Sequence, residues 1–276
     1  MVRRVSEPCA FSLGNIDDLV GTIVIGVGAM GAVILIDKAR RRRRPAGGHL
    51  GRLGLADLSD GYGAPMTVTQ NERRAMCDLL DELGPDQPTL CGEWSTRDLL
   101  AHLLVRERRP DASLGIVVPA MAKRLERVMA EIAAQSFPKM VATFRSGPPV
   151  WAVPWAIPVV GDRMNLFEFF VHHEDIRRAQ PHWEPRPEDA TRDDALWNGL
   201  KLVGRALFRK SSVGVTLRTA GRDDVVVRKG ANAVLVVGLP SEITLVGYGR
   251  PTALTRVVLQ GEPDDVAAFE ASPRGI

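Results

Sequence analysis

The stretch "NLFEFFVHHEDIRRA", residues 165–179, places ionisable side chains on an otherwise apolar helical pattern. Glu168 and His172 are four residues apart, so on a helix they share one face, and Asp175 falls on the same face one turn later. His173 is rotated by about 100° from His172 and faces elsewhere. The surrounding phenylalanine, leucine and valine residues predict a buried helix and a desolvated Glu168. A buried carboxylate without a partner is costly, so this face must hold a metal ion or a charged partner.

A second histidine lies in an equally apolar setting. His102 is the only polar residue of "LLAHLLV", and a hydrogen bond to a backbone carbonyl would be enough to explain it alone. Together, His102, Glu168 and His172 form the usual ligand set of a catalytic zinc ion with an open fourth position. Iron or nickel would accept the same donors. Helical bundle cores are common places for such sites, so the three residues are the candidate metal ligands.

Two metal-free explanations remain open at this point. Glu168 could pair with an arginine such as Arg97 or Arg106 in a structural salt bridge. His172 and Asp175 could instead form a metal-free acid–base pair. Both alternatives satisfy the buried charges without a bound ion.

The sequence contains no obvious nucleophile. There is no "GxSxG" motif, and Cys91 lies in a loop at a helix entry without an obvious basic partner. If Asp175 or His173 supplied a fourth protein ligand, the metal site would be closed, as in structural rather than catalytic sites.

The elements that carry these residues are helices. Five stretches repeat apolar residues with helical spacing, and the first two begin with capping boxes at Thr69–Glu72 and Ser95–Asp98. Between the third and fourth helices, the proline-rich stretch "SGPPVWAVPWAIPVVGD" predicts a loop whose Trp151 and Trp155 cover an apolar region. The predicted helices are "TQNERRAMCDLLDEL", "STRDLLAHLLVRER", "VPAMAKRLERVMAEIAAQ", "RMNLFEFFVHHEDIRRAQ" and "PEDATRDDALWNGLKLVGRALFRK".

After Ser211 the sequence changes to short β-branched runs separated by Gly, Pro and Asp. The runs "VGVTLRTA", "DVVVRK", "AVLVVG" and "EITLVGYG" are predicted strands, and "PDDVAAFEA" is a predicted closing helix. Helices followed by strands indicate an α+β fold rather than a parallel α/β sheet. We therefore predict a helical domain over residues 66–210 and a small α+β domain over residues 211–276.

Residues 1–65 have a different character and are predicted to be an extension with a linker. They contain nine Lys and Arg residues against six acids, and residues 19–36 contain no charge over 18 positions. That length suffices for a membrane-spanning helix, and the arginine run after it would lie in the cytoplasm. The alternatives are a membrane anchor with a cytoplasmic body, or an upstream extension that plays no part in the working protein.

The charge and cysteine content of the remaining chain exclude some classes. Residues 66–276 hold 27 basic and 27 acidic residues, which argues against a nucleic-acid-binding protein. Three cysteines without paired spacing suit a reducing compartment, so a cytoplasmic body is expected.

Two motifs resemble a known family. "TLCGEWSTRDLLAHLL" and "EFFVHHEDIRRA" resemble the two histidine motifs of the mycothiol-dependent maleylpyruvate isomerase family. "LPSEITLVGYGR", followed by "VVLQGEPDDVAAF", is similar to the C-terminal domain of that family. The resemblance covers residues 66–276 and excludes the first 65.

The resemblance implies a DinB-like four-helix bundle followed by a small C-terminal α+β domain. It implies a divalent metal ion, usually zinc, bound by His102, Glu168 and His172 with water completing the site. It also implies the thiol cofactor mycothiol, whose sulfur would take the open metal position as a thiolate. Arg250 in "GYGR" matches a family arginine that would bind an anionic substrate or the cofactor, and the alternative is a surface residue at a turn.

The sequence also departs from the family pattern, with an additional histidine, His173, and an additional acid, Glu174. These additions resemble a metal-binding branch without an established reaction. The favoured hypothesis is a mycothiol-dependent isomerase or S-transferase that acts on a small electrophile, with Trp151 and Trp155 excluding water and Asp175 supporting the ligands. The alternative is a non-catalytic metal-binding or interaction protein, tethered to a membrane only through residues 19–36.

Overall fold

The computed structural model describes residues 66–116, 118–149 and 158–275, which form a helix-rich α+β fold. Three short 3-10 turns, at Leu114–Ile116, Pro119–Met121 and Thr252–Leu254, connect the longer elements. The helices are α1 Val68–Leu83, α2 Thr96–Arg108, α3 Pro110–Ser113, α4 Ala122–Ala133, α5 Phe137–Arg145, α6 Pro158–Arg178, α7 Ala190–Leu207, α8 Pro240–Gly247 and α9 Pro263–Ala271. The strands are β1 Gly214–Arg218, β2 Val225–Arg228, β3 Ala233–Val237 and β4 Val258–Gln260.

Capping boxes begin the first two long helices. The box at Ser95 and Asp98 is confirmed at the start of α2. The box predicted at Thr69 and Glu72 is wrong, because α1 begins earlier, at a box formed by Thr67 and Gln70. Thr67 offers the same hydroxyl cap two residues upstream, which leaves Glu72 inside the helix and buried.

The first hydrophobic core lies among the N-terminal helices. Helix α1 packs against α5 and α6, and α2 packs against α4 and α5. Phe169 and Ile176 bring one side of α6 into this core. Its largest fully buried members include Met76, Leu80, Leu99, Leu100, Leu103, Met140 and Phe144.

The four strands form one mixed sheet with the order β2-β1-β3-β4. Strands β1 and β3 are parallel, with Gly214 opposite Ala233 and Arg218 opposite Val237. The β1–β2 and β3–β4 pairs are antiparallel. Helix α7 packs on β2 and α9 on β3, so the C-terminal helices cover the sheet and complete a second core.

The predicted strand "EITLVGYG" is instead helix α8, and the fourth strand, Val258–Gln260, comes from a later segment. Pro240 suits the first turn of a helix, where its missing N–H has no intrahelical partner, and Glu242 favours the positive end of the helix dipole. All eight residues of α8 are buried, and the helix packs against α7 and α6. This packing outweighs the strand preference of its β-branched residues.

Helix α6 is shared by both cores. Phe169 and Ile176 face the first core, whereas Phe167, Phe170 and Val171 belong to the second. The helix is therefore surrounded by protein on nearly all sides, as its apolar sequence predicts. Its ionisable face, which carries Glu168, His172 and Asp175, lies between the two cores and is buried.

The two remaining predictions for the fold are the domain boundary and the membrane-spanning segment. The predicted boundary between residues 210 and 211 stays a prediction. Across residues 66–116, 118–149 and 158–275, no helix combines the length and the apolar character needed to cross a membrane. The apolar segment 19–36 and the rest of the predicted extension 1–65 lie outside the described residues.

Candidate metal centre

Helices α2 and α6 bring the three predicted ligands together. His102 comes from α2, and Glu168 and His172 come from successive turns of α6. Their residues are 3%, 5% and 1% exposed, respectively. The Nε2 atoms of both histidines lie 3.3 Å from the same carboxylate oxygen, Oε1 of Glu168. The ligand atoms of all three residues lie within 4.8 Å of one another.

The surroundings of His102 fix its ring. The capping box at Ser95 sets the start of α2, so His102 falls on the second turn of the helix. The Trp94 ring lies 5.2 Å from the His102 ring between centroids. The His102 and His172 rings are 5.7 Å apart with an interplanar angle of 75°. His102 therefore contacts two aromatic rings, and its Nε2 is directed at Glu168.

Asp175 contacts the ring nitrogen of His172 that faces away from Glu168. Its Oδ2 lies 2.9 Å from Nδ1 of His172, which leaves Nε2 directed at Glu168. A carboxylate on the second nitrogen is the usual partner of a metal-binding histidine, because it fixes the tautomer and the ring orientation. Asp175 therefore lies behind the imidazole, and the described geometry does not make it a fourth ligand beside Nε2.

Arg250 is buried at this site and does not lie on a surface turn. Only 5% of the residue is exposed. Its Nε donates to Oδ1 of Asp175 at 2.7 Å, and its Nη2 donates to Oδ2 of the same carboxylate. This two-point contact makes Arg250 the counter-ion of Asp175, so the surface-turn alternative is wrong. The role of Arg250 in binding a substrate or cofactor stays a prediction.

The turn that delivers Arg250 depends on Gly249. Helix α8 ends at Gly247 with Tyr248 as its C-cap, and Gly249 follows with φ +82°. The Arg250 N–H donates to Leu245 O at 2.9 Å, and the Gly249 N–H donates to Val246 O at 3.0 Å. These are the two hydrogen bonds of a Schellman motif, which requires a left-handed residue at the position of Gly249. The "GYGR" sequence is thus a helix end that directs Arg250 to Asp175.

Arg106 supports one of the metal-free alternatives. Its Nε lies 3.5 Å from Oε1 of Glu168, and its Nη1 donates to Oδ1 of Asn165 at 2.7 Å. Arg97, the other arginine considered, donates instead to the carbonyls of Ala133 and Gln135. Arg106 is therefore the guanidinium close to the candidate ligands.

Burial and charge compete at each ligand. Burial raises the pKa of Glu168, but the charge of Arg106 and the hydrogen bonds of both histidines outweigh burial and hold this pKa well below its usual range. Burial lowers the pKa of His102 despite its contact with Glu168. For His172, the hydrogen bonds to Asp175 and Glu168 overcome burial and raise the pKa. The site therefore favours an ionised Glu168 and a neutral His102.

His173 has separate partners on another face of α6. Its Nδ1 lies 2.8 Å from Oε2 of Glu72, and Arg186 Nη1 donates to the same carboxylate at 3.0 Å. Glu174 is bound by Arg177, Arg178 and Arg186. The additional histidine and acid of the "VHHED" stretch thus take part in a buried ion-pair network that joins α6 to α1.

Cys91 was not predicted to have a basic partner, and this expectation is wrong. Its Sγ lies 3.7 Å from Nδ1 of His172 and 3.2 Å from Oδ2 of Asp175. The partners come from a helix about 80 positions later in the chain, so local sequence cannot reveal them. Cys91, His172 and Asp175 bring three donor atoms together. Cys91 is disulfide-bonded and Arg250 already neutralises Asp175, so these three residues are not a candidate metal site.

Trp151 and Trp155, which were predicted to cover the site, lie outside the described residues. Their proposed role in excluding water stays a prediction.

Two of the separations among His102, Glu168 and His172 suit a divalent metal ion such as zinc. Zinc bonds to nitrogen and oxygen are about 2.0–2.2 Å long, so two ligand atoms at a tetrahedral centre lie about 3.3 Å apart. Both nitrogen–oxygen separations here are 3.3 Å. Charge-assisted hydrogen bonds between such groups are shorter, about 2.7–2.9 Å. The donor types, the burial and the second-nitrogen contact of His172 all suit a divalent ion.

Comparisons with known proteins give one structural match. No protein-family model matches the chain, and no curated protein matches its sequence. The structure is similar to the crystal structure of a mutant of the mycothiol-dependent maleylpyruvate isomerase, with a TM-score of 0.48 and 11% sequence identity. The match covers 69% of this chain and 90% of that chain.

Proposed function

We propose that the protein binds one divalent metal ion, zinc by its donor set, through His102, Glu168 and His172. The observation that carries this proposal is the pair of 3.3 Å separations between two imidazole nitrogens and one carboxylate oxygen, in a buried setting. Three protein ligands leave one coordination position open, which is the arrangement of catalytic zinc sites.

We further propose that the open position serves a thiol. A zinc ion there would lower the pKa of a bound thiol or water and would keep the sulfur as a thiolate at neutral pH. The residues of the chain hold this arrangement in place: Asp175 orients His172, and Arg250 neutralises Asp175. Arg106 lies close enough to Glu168 to stabilise its ionised form.

The motif resemblance favours mycothiol as the thiol and a DinB-like four-helix bundle as the helical scaffold. The reaction class would then be thiol-dependent isomerisation or S-transfer of a small electrophile. The chain's own contribution to this chemistry is a dry, pre-oriented ligand set, because the site lies between two hydrophobic cores.

One competing function is favoured by a specific contact. Arg106 Nε lies 3.5 Å from Glu168, so an ion pair could satisfy the carboxylate without metal. In that case His172 and Asp175 would form a metal-free acid–base pair at 2.9 Å. The two functions differ in whether a thiol can bind at an exchangeable metal position.

Thiol binding to the cobalt-substituted full-length protein tests the proposal. Cobalt accepts the same ligands as zinc and is coloured, so coordination of a thiolate changes the visible spectrum. We expect N-acetylcysteine to produce a saturable change with one thiol per metal, and mycothiol to bind more tightly. N-acetylserine is the matched control and should produce no such change. Stoichiometric cobalt without any response to either thiol would refute the thiol-binding function.

A further inference from the structure

One carboxylate oxygen of Glu168 has three nitrogen atoms close to it. Nε2 of His102 and Nε2 of His172 each lie 3.3 Å from Oε1 of Glu168. Nε of Arg106 lies 3.5 Å from the same oxygen. A metal ion bound through the two histidines and Glu168 would also draw on the negative charge of this carboxylate. Arg106 and the metal ion would therefore share one anionic partner.

The guanidinium of Arg106 is held beside Glu168 by a buried side chain. Its Nη1 donates to Oδ1 of Asn165 at 2.7 Å, and Asn165 is 2% exposed. Asn165 lies three residues before Glu168 on α6, so the two side chains occupy the same side of that helix. Arg106 lies four residues after His102, one turn further along α2. The cation is therefore positioned by the same two helices that position the candidate ligands.

The charge of Arg106 acts on this site in two opposite ways. The guanidinium is always protonated, and with its side chain 16% exposed and that of Glu168 3% exposed, salt screens the pair only weakly. The positive charge stabilises the buried carboxylate when no metal ion is bound. When a divalent cation binds to Glu168, the same positive charge repels it.

The other arginines near the helices of the site have different partners. Nη1 of Arg97 donates to the backbone carbonyls of Ala133 and Gln135. Arg250 contacts both carboxylate oxygens of Asp175. Among the described residues, Arg106 is the arginine that forms an ion pair with Glu168. Its effect on the metal site can therefore be tested separately from that of Arg97.

We propose that Arg106 is the resident counter-ion of Glu168 and competes with the metal ion for this carboxylate. Arg106 thereby stabilises the ligand set before the metal ion binds and limits the affinity with which the ion is held. This inference rests on the proposed metal site. It makes Arg106 a positioning residue that acts through Glu168 and sets how reversibly the site is filled.

Removing the charge of Arg106 should change zinc affinity and stability in opposite directions. We expect full-length Arg106→Gln to bind zinc at least about tenfold more tightly than the wild type, as measured at about pH 8 against a competing chelator. The metal-free variant should unfold at a lower urea concentration than the metal-free wild type, because Glu168 loses its counter-ion. A residue with a merely structural role would weaken both zinc binding and stability.

Two matched variants isolate the charge of Arg106. Arg106→Lys keeps a positive charge at this position and should have nearly the wild-type zinc affinity. Arg97→Gln makes the same chemical change as Arg106→Gln on the same helix. It should lower stability without tightening zinc binding, because Arg97 contacts backbone carbonyls and not Glu168.

A measurement on the wild type does not depend on how well the variants fold. The full-length protein is labelled with ¹⁵N and titrated with zinc, and the Nε resonances of its arginines are assigned through bonds to their backbones. We expect the Nε resonance of Arg106 to shift saturably, with the shift complete at one zinc per chain, because zinc changes the charge of the carboxylate that it faces. The Nε resonance of Arg97 should stay in place.

The outcomes separate this inference from the proposed function. Zinc stoichiometry is determined first, for the wild type and for Arg106→Gln. If zinc binds, either an unmoved Arg106 resonance or a zinc affinity that is not raised in Arg106→Gln would overturn the role of Arg106 alone. If neither protein binds zinc, the proposed metal site itself is overturned.

Discussion

Replacing Arg250 by methionine should strongly destabilise the protein, because Asp175 would lose its counter-ion. Asp175 is fully buried, and Arg250 contacts both of its carboxylate oxygens. Removing one partner of a buried ion pair costs about 3–5 kcal/mol. His172 still contacts Asp175, so we expect a loss near the lower end, about 3 kcal/mol. Urea unfolding of the full-length protein, with excess chelator to remove metal linkage, measures this change.

A double-mutant cycle makes this reasoning refutable. Asp175→Asn should also destabilise the protein, because it leaves the guanidinium of Arg250 buried without a counter-ion. The double variant removes both charges, so we expect it to be more stable than the sum of the two single effects by about 2 kcal/mol or more. If the single effects add to within about 0.5 kcal/mol, the two side chains do not interact and the assigned arrangement is wrong.

Three further results are expected. Gly249→Ala should lower the free energy of unfolding by about 1–2 kcal/mol because of the positive φ at this position, as measured by thermal unfolding. The loss should exceed that of Gly84→Ala, because a Cβ at Gly249 would lie 3.1 Å from a backbone carbonyl oxygen, whereas a Cβ at Gly84 would meet open space. Burial raises the pKa of the free thiol of Cys77 to about 11. Iodoacetamide at about pH 8 should therefore leave Cys77 unmodified in the native protein and alkylate it in urea, as measured by peptide mass spectrometry. Fast alkylation of Cys77 in the native protein would contradict its burial. Zinc affinity, measured with a competing chelator, should fall as the pH decreases, because protons compete with zinc for His102 and His172. The pKa of His172 is raised, so this loss of affinity should begin above the ordinary histidine pKa of about 6.5. A constant zinc affinity from about pH 8 to 5 would argue against histidine ligands.

The candidate ligands could be predicted because their constraints are local. Glu168 and His172 share a helix face by spacing alone, and the apolar residues around them require burial. His102 could be added because its own segment is apolar and offers it no polar neighbour. The structure brings these three side chains together, although metal binding itself remains a proposal.

The supporting residues could not be predicted because their contacts are long-range. Arg250 reaches Asp175 from a helix end 75 positions later, and Cys91 contacts His172 from 81 positions earlier. Tyr248 lies in a segment that local propensity assigns to a strand. The packing of α8 against α6 and α7, together with Pro240 and Glu242 in its first turn, makes that segment helical and brings its end to the candidate site.

The helix starts and the sheet also depend on contacts that local sequence does not specify. Ser95 and Asp98 form the box that their spacing predicts, whereas Thr67 and Thr69 both offer a plausible cap and tertiary burial of Glu72 decides between them. Three of the four predicted strands are present. The fourth strand of the sheet, Val258–Gln260, was not predicted, because it is a short edge strand defined by its pairing with β3. Such a strand depends on its neighbour more than on its own composition.

Metal content of the purified full-length protein tests the central claim most directly. Elemental analysis compares the wild type with His172→Ala and with His173→Ala. The two histidines are adjacent and both buried, but only His172 faces Glu168, whereas His173 contacts Glu72. We predict about one zinc or other divalent ion per chain in the wild type and in His173→Ala, and loss of the metal in His172→Ala. A folded wild type without metal, or equal metal loss in both variants, would contradict the account.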